Sequence, residues 1–365
     1  MTMKEPQAMS GQGKANGAGT EPGIGMGIGM GTSVLLPVFM RGASVTEVAL
    51  LDRAIASVLE QDYPGPLEIL VIDDGSPMPV ADLVRSGHLP DRPEIRWERN
   101  ERNSGLVHTL NRGLALASHP YIARMDGDDR WCPGKIARQF ERFRADPDLT
   151  IVATGMTVVD AEGRALDTHL RKDGWGEIMR FSLEVGCPFP HGSVVARRDV
   201  YRLLGGYPHD PAFSHCEDYT LWSLWLRFFK PAMVEELLFD YTASSGSVSG
   251  LHSAQQRRAS GAVNLRLRRQ NLQGTLPADM ERLAALLGLS VFEAGVACYR
   301  LWRYRPVARL PAAALPVLRR ILVDRDLEAV GDDRAEAVGL DRLLAGFRSA
   351  PPFPPDQTVA VAVHP

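Results

Sequence analysis

The chain has 365 residues, of which 45% are hydrophobic and 23% charged, a composition that excludes disorder throughout, a collagen-like fibre and a small disulfide scaffold. Its 41 basic and 44 acidic side chains leave a formal net charge of −3, which argues against a protein built to wrap a nucleic-acid backbone. Four scattered cysteines, Cys132, Cys187, Cys216 and Cys298, form no CxxC pair, so reduced thiols and a cytoplasmic location are expected.

Residues 1–32 hold nine glycines and no aromatic, which predicts a disordered leader too glycine-rich for a signal peptide. Ser33–Phe39 is an apolar run of strand length, and Glu47–Gln61 then repeats apolar residues at helical spacing. Leu67–Ile72 reads as a buried strand ending in the turn chemistry of Asp73-Asp74-Gly75-Ser76-Pro77. A short helix near Val80–Ser86, a strand near Glu94–Glu98, a helix over Gly105–Ala117 and a strand at Tyr121–Met125 follow. Strands alternating with helices argue for a mostly parallel, doubly wound α/β sheet, in which ligands sit outside the carboxyl ends of the strands.

A helix at Lys135–Arg144 comes next, then two β-like runs, Thr150–Val159 and Ala165–Leu170, joined by a hairpin turn at Asp160-Ala161-Glu162-Gly163. Helices near Trp175–Glu184 and before Gly205-Gly206 lead to Glu217-Asp218 and the aromatic helix Tyr219–Phe229. The α/β unit is expected to span 33–250, followed by a helical extension over 251–349 and a proline-rich tail over 350–365. Residues 251–323 carry twelve arginines against three acids, whereas 324–365 carry four arginines against eight acids. No apolar stretch reaches the length a spanning helix needs.

Two acidic clusters follow strands directly. Arg124-Met125-Asp126-Gly127-Asp128-Asp129 suits a hard divalent cation, Mg²⁺ or Mn²⁺, which takes one or two carboxylates plus substrate phosphate oxygens. A solvated acidic turn is the competing reading. Asp73-Asp74-Gly75-Ser76 reads equally as an Asx turn or as a carboxylate for a base or ribose. Asn103-Ser104-Gly105 offers anion-binding N–H groups or simple capping. Glu217-Asp218 could supply a base or cap its helix.

Taken in order, Ser33–Phe39, Val71–Ser76, Asn103–Leu106 with Leu110–Leu114, Met125–Asp129 and Glu217–Trp222 resemble glycosyltransferase family 2 over roughly Ser33 to Ser249. The resemblance implies a GT-A fold with a Rossmann-like mixed sheet and an inverting mechanism. It also implies a nucleotide-diphosphate sugar donor, UDP-sugar foremost, a divalent metal on the diphosphate, and a glycan or lipid-linked acceptor in polysaccharide biosynthesis. By that similarity Pro37, Phe39, Asp74 and Asp126 bind the nucleotide, Asp128 with Asp126 holds the metal, and Asp218 is the catalytic base. His191 and Glu217 would approach acceptor or phosphate, although a lone histidine is more often structural.

One departure stands out. Family members often carry Tyr-Arg-x-His-x-x-Ser after the last core strand, where this chain has Tyr241-Thr242-Ala243-Ser244, so the metal site loses an Arg and a His unless His252 compensates. Within 294–323, Arg300, Arg303, Arg305, Arg309, Arg319 and Arg320 lie among aliphatics with no acids. This surface suits an anionic inner leaflet or, alternatively, helices packed on the catalytic unit with their arginines paired to the acidic tail. Two rival functions are a nucleotidyltransferase, disfavoured because Met40–Ser44 is no glycine-rich phosphate loop, and a non-catalytic sugar-nucleotide or glycan-binding protein.

Overall fold

The computed structural model describes residues 30–243, 253–269, 276–304, 308, 310–322 and 339–344. The expected leader over 1–29, Ser244 and His252, Arg305 and Arg309, most of the acidic tail and the proline-rich end lie outside them.

The first strand, β1 (Thr32–Val38), lies between β2 (Leu67–Asp73) and β4 (Tyr121–Arg124), and β3 (Ile95–Arg99) joins the outer side of β2, all parallel. Helices α1 (Val45–Leu59), α2 (Val80–Arg85) and α3 (Leu106–Leu116) are their crossovers. Strands β1 and β2 are buried on both faces, which is why they read as continuous apolar runs. Val34, Leu36, Ile69 and Val71 pack on α1 and α2, whereas Leu35, Leu70 and Ile72 pack on α3. A capping box starts α1, with Ser44 accepting from the Glu47 N–H and Glu47 accepting from the Ser44 N–H at 2.9 Å.

The second half is mixed. A two-residue strand β5 (Arg130–Trp131) precedes α4 (Lys135–Ala145), then the hairpin β6 (Leu149–Val159) and β7 (Ala165–His169), α5 (Trp175–Glu184) and a single 3₁₀ turn at His191–Ser193. Strand β8 (Val195–Arg197), α6 (Arg198–Leu204), α7 (Glu217–Phe228) and β9 (Lys230–Thr242) complete it. The sheet order is β3-β2-β1-β4-β8-β6-β9-β5, with β7 on β6. Four of its eight strand pairings are antiparallel, so the sheet is GT-A-like and mixed rather than mostly parallel. The reversal arises because three-residue β8 inserts between β4 and β6 and runs against both.

Helices α8 (Ser253–Arg269), α9 (Leu276–Leu287), α10 (Val291–Tyr304), α11 (Leu315–Ile321) and α12 (Leu340–Leu344) form the extension. Met280, Leu283, Val296, Tyr299, Leu318 and Ile321 join the same apolar core as Trp222 and Trp225 of α7. Tyr299 meets Phe228 edge-on at 5.6 Å. Arg300 is half-buried and donates to the Leu343 carbonyl, whereas Arg303, Arg319 and Arg320 are exposed, Arg320 pairing with Asp279 at 2.7 Å. Asp279 of α9 is the acid that Arg320 meets among the described residues. Among the described residues no single helix is long and apolar enough to cross a membrane; α9 and α10 reach the length together but are bent by 98°.

Candidate active site

Parallel strands bring their carboxyl ends to one edge. Val38 is in register with Asp73, and the ladder continues past the strands, with the Asp74 N–H donating to the Val38 carbonyl at 2.7 Å and the Met125 N–H to the Leu35 carbonyl at 3.1 Å. That register sets Pro37 and Phe39, Asp74, and the loop 125–129 side by side. Phe39 is 43% exposed and Pro37 partly so, which leaves an apolar platform open at the strand end.

Asp73 and Asp74 divide the labour of their turn. Asp73 accepts from the Ser76 N–H (2.8 Å), the Val80 N–H (3.2 Å) and Arg99, all within its own turn and neighbouring strand. Asp74 reaches across to the loop after β3. Its Oδ1 accepts from Asn100 Nδ2 (2.7 Å) and the Ser104 N–H (2.9 Å), and its Oδ2 from the Gly105 N–H (2.8 Å). A carboxylate offers about four acceptor positions, so one remains on Asp74 Oδ2. Gly75 makes the approach possible: its φ is +72°, and a Cβ there would stand 2.4 Å from the Arg102 backbone.

The second acidic loop is built on a buried cation. Arg124 is 2% exposed at the end of β4 and donates Nη2 to Asp126 Oδ1 at 2.6 Å and Nη1 to the Met125 carbonyl. From the other side, Thr242 at the end of β9 donates its hydroxyl to the Asp128 carbonyl at 2.5 Å and its N–H to Asp129 Oδ1 at 2.9 Å. Arg53 of α1 adds a donor to the same Asp128 carbonyl at 2.9 Å. Thr242, which stands where the family pattern has Arg, is thus part of the frame that shapes the loop. Its backbone N–H would serve with any residue; its hydroxyl is a donor that the side chain itself supplies.

Burial and crowding push these carboxylates up. Asp128 rises to about 6 through burial and the nearby Asp126, and Asp129 rises well above the usual range through burial, Asp126 and Asp128. The buried Asp129 Oδ2 has no hydrogen-bond partner.

Across the cleft, α7 begins with the acid pair. Glu217 rises to about 7, through burial first and then its neighbour Asp218, while Arg124 lowers it and Asp126 raises it. Glu217 thus feels both Arg124 and Asp126 of the second acidic loop. Asp218 is raised by burial, and the Tyr219 N–H restrains the rise by donating to Oδ1 at 2.7 Å. Its Oδ2 lies 3.7 Å from the Cys187 thiol, which also donates to the Phe189 carbonyl. His191 is committed to structure: Nε2 lies 2.8 Å from the Tyr207 hydroxyl, the ring meets Trp222 edge-on, and burial and Arg124 hold it neutral.

The donor set is all hard oxygen, which suits Mg²⁺ or Mn²⁺. Among the described residues no three His, Cys, Asp or Glu side chains gather as a self-sufficient metal cage. Asp126 and Asp128, with the unpartnered Asp129 Oδ2 behind them, fit an ion that completes its shell with water and substrate phosphate. Arg124, Arg53, Cys187 and Tyr207 were not candidates from pattern alone. The available signal was Arg124 itself, a charge inside the otherwise apolar Tyr121–Met125.

Comparison with known proteins follows this geometry. The sequence profile of the family described as Glycosyl transferase family 2 matches residues 33–204. Those residues form a glycosyl transferase family 2 domain. EpsE of Bacillus subtilis (strain 168) is 31% identical over 185 residues, 49% of this chain. The match spans 62% of EpsE's own length. The amylovoran biosynthesis glycosyltransferase AmsE of Erwinia amylovora is 29% identical over 208 residues, 54% of this chain and 73% of that one. Among solved structures, S. aureus TarS residues 1–349 in complex with UDP-GlcNAc superposes with a TM-score of 0.50 at 14% identity, covering 83% of this chain and 82% of that one. At that identity the likeness concerns the fold, which is GT-A. The family 2 domain ends within α6 and β9 and α7 lie beyond it, so the acid pair and Thr242 are supplied by residues outside the matched segment.

Proposed function

We propose that the protein is an inverting glycosyltransferase that moves a sugar from a nucleotide-diphosphate donor, a UDP-sugar, to a hydroxyl of a glycan or lipid-linked acceptor in polysaccharide biosynthesis. The observation that carries this reading is that Asp126, Asp128, Glu217 and Asp218 all lie under the influence of one buried arginine, Arg124, at the end of β4. AmsE, by its name, acts in the biosynthesis of a polysaccharide, and the TarS structure holds UDP-GlcNAc; both support the class of donor and product.

Inversion requires one carboxylate to take the acceptor hydroxyl's proton as that oxygen attacks the anomeric carbon. Asp218 is suited to it: its Oδ1 is held by the Tyr219 N–H, and burial raises its pKa, which makes its carboxylate a stronger base. Asp74 with Phe39 and Pro37 would hold the base and ribose, through the one acceptor position left on Oδ2. Asp126 and Asp128 would hold a divalent ion, which when bound neutralises charge on the departing diphosphate. Glu217 would keep the acceptor face acidic, and His191 would act through Tyr207 rather than on the substrate. The four free thiols suit the cytoplasm, and the exposed Arg303, Arg319 and Arg320 of the extension suit peripheral contact with an anionic inner leaflet.

A thermal-shift series with UDP, GDP, dTDP, ADP and CDP, each with and without Mn²⁺, tests the donor site, because ligand binding to the native state raises the midpoint. A selective, metal-dependent rise is expected. No rise with any diphosphate would overturn the glycosyltransferase reading.

A further inference from the structure

The acid pair Glu217-Asp218 is flanked in sequence by two residues that α8 holds. Cys216, just before the pair, donates its thiol to the Gln256 carbonyl at 3.3 Å. Tyr219, just after it, is buried and packs with Val263 and Leu267, one turn apart on α8. Asn264, on the same stretch of α8, joins these groups to α5. Its Nδ2 donates to the Leu183 carbonyl at 2.7 Å and to the Ser182 carbonyl at 3.0 Å. The same nitrogen lies 3.4 Å from the Tyr219 hydroxyl, which itself donates to the Ser182 carbonyl at 2.5 Å. Asn264 Oδ1 accepts from Arg268 Nε at 2.8 Å, and Arg268 Nη2 reaches the Leu183 carbonyl at 3.0 Å. Ser182 and Leu183 lie in the last turn of α5, where carbonyls have no partner within the helix. An amide suits this junction, because it donates through one end and accepts through the other.

Two groups that touch the Asp218 carboxylate hang from this junction. Oδ1 accepts from the Tyr219 N–H, and Oδ2 lies 3.7 Å from the thiol of Cys187, three residues past the end of α5. The first is fixed with the Tyr219 ring and the second with the end of α5. Cys187 also packs against the cluster of Tyr219, Val263 and Leu267.

We propose that Asn264 is a positioning residue for Asp218: by binding the end of α5 and Tyr219 together, it fixes the direction in which the carboxylate points, and α8 is thereby part of the catalytic unit. This rests on the reading of Asp218 as the base and deepens it, by giving the first helix of the extension a part in the reaction.

The test uses the full chain as wild type, Asn264→Ala, Asn264→Gln and, as a control, Leu318→Ala, which opens a cavity in the apolar core of the extension. Hydrogen exchange of amides 217–220 reads the clamp without any substrate. Release of UDP from UDP-GlcNAc, UDP-glucose and UDP-galactose with Mn²⁺ reads turnover, at a temperature well below every thermal midpoint. Asn264→Ala is expected to speed that exchange about tenfold and to lower kcat about tenfold or more, with KM for the UDP-sugar and the UDP-dependent thermal shift unchanged. Asn264→Gln, which keeps the amide, should recover part of kcat. Leu318→Ala should lower the midpoint at least as much and leave kcat as in wild type. Exchange and kcat both unchanged in Asn264→Ala overturn the proposal, and so does an equal loss of kcat in Leu318→Ala, which marks a general effect of stability. Faster exchange with unchanged kcat overturns it as well, because the clamp then does not govern the carboxylate. Where wild type releases no UDP from the three sugars, exchange at 217–220 decides the proposal alone. Where wild type also shows no UDP-dependent shift, the glycosyltransferase reading fails on its own.

Discussion

The two ends of the cleft treat their carboxylates in opposite ways. At the nucleotide end, Asp73 and Asp74 are enclosed by N–H donors, an asparagine amide and Arg99, so their negative charge is matched by the protein itself. At the loop after β4 and the start of α7, Asp126, Asp128, Asp129, Glu217 and Asp218 share one buried arginine, Arg124. Burial and mutual repulsion there push Asp128 to about 6 and Glu217 to about 7. The first arrangement stabilises a fixed shape, whereas the second stores unmatched charge that a cation, a proton or a substrate can relieve. Stability and reactivity are thus assigned to different carboxylates of one sheet edge.

Exchanging acid for amide at each end is the sharpest way to break that contrast. Asp218→Asn is expected to lower kcat by about 10²–10⁴-fold, the usual worth of a positioned base, while nucleoside-diphosphate binding persists. Transfer assays and thermal shift read the two effects, and an active variant would remove Asp218 from the chemistry. Asp74→Asn should do the reverse to the fold. It sets an amide against three donors and is expected to cost about 2–3 kcal/mol in urea unfolding. A neutral result would mean that the nucleotide end is not held by matched charge.

Acidity sharpens the comparison next. Glu217 faces Asp218, Asp126 and Arg124, and its pKa rises on folding from 4.5 to about 7. The folded state therefore binds more protons between those values. The stability this group contributes is full below the lower one and is lost as pH rises through the upper one. Chelator-treated protein should lose stability from pH 5 to 8 at up to about 1.4 kcal/mol per pH unit, and Glu217→Gln should flatten that slope. A slope unchanged by the substitution would assign the titration elsewhere. The smallest effect is expected for Thr242→Val, which keeps the shape and the N–H but removes the hydroxyl on the Asp128 carbonyl. A loss of about 1 kcal/mol and a weaker Mn²⁺ response would separate the loop frame from the carboxylates it presents.

Much of this architecture is legible in the chain. Trp175–Glu184 is read as a helix with the same ends that it has in three dimensions, and the apolar runs of β1 and β2 differ by one or two residues. Strand β9 escapes pattern reading because its alternation breaks where Glu235 and Glu236 turn outward and the register to β6 shifts. Strand β5, two residues long, is too short to carry any period. Arginines 300 and 320 read from sequence equally as a basic surface or as packing residues; Arg300 is half-buried against Leu343, and Arg320 stays exposed beside Asp279.

By itself the sequence determined the local and repetitive features: apolar runs long enough to bury on both faces, helical spacing, turn chemistry at strand ends, and five motifs in a family's order. These depend on neighbours within a few residues, which the chain lists directly. Tertiary structure alone decided which charges are matched. Arg124 beneath Asp126, Thr242 against Asp128, Cys187 against Asp218, and the reversal at β8 join residues up to more than a hundred positions apart. Burial and proximity set their protonation, and neither quantity exists until the chain has folded.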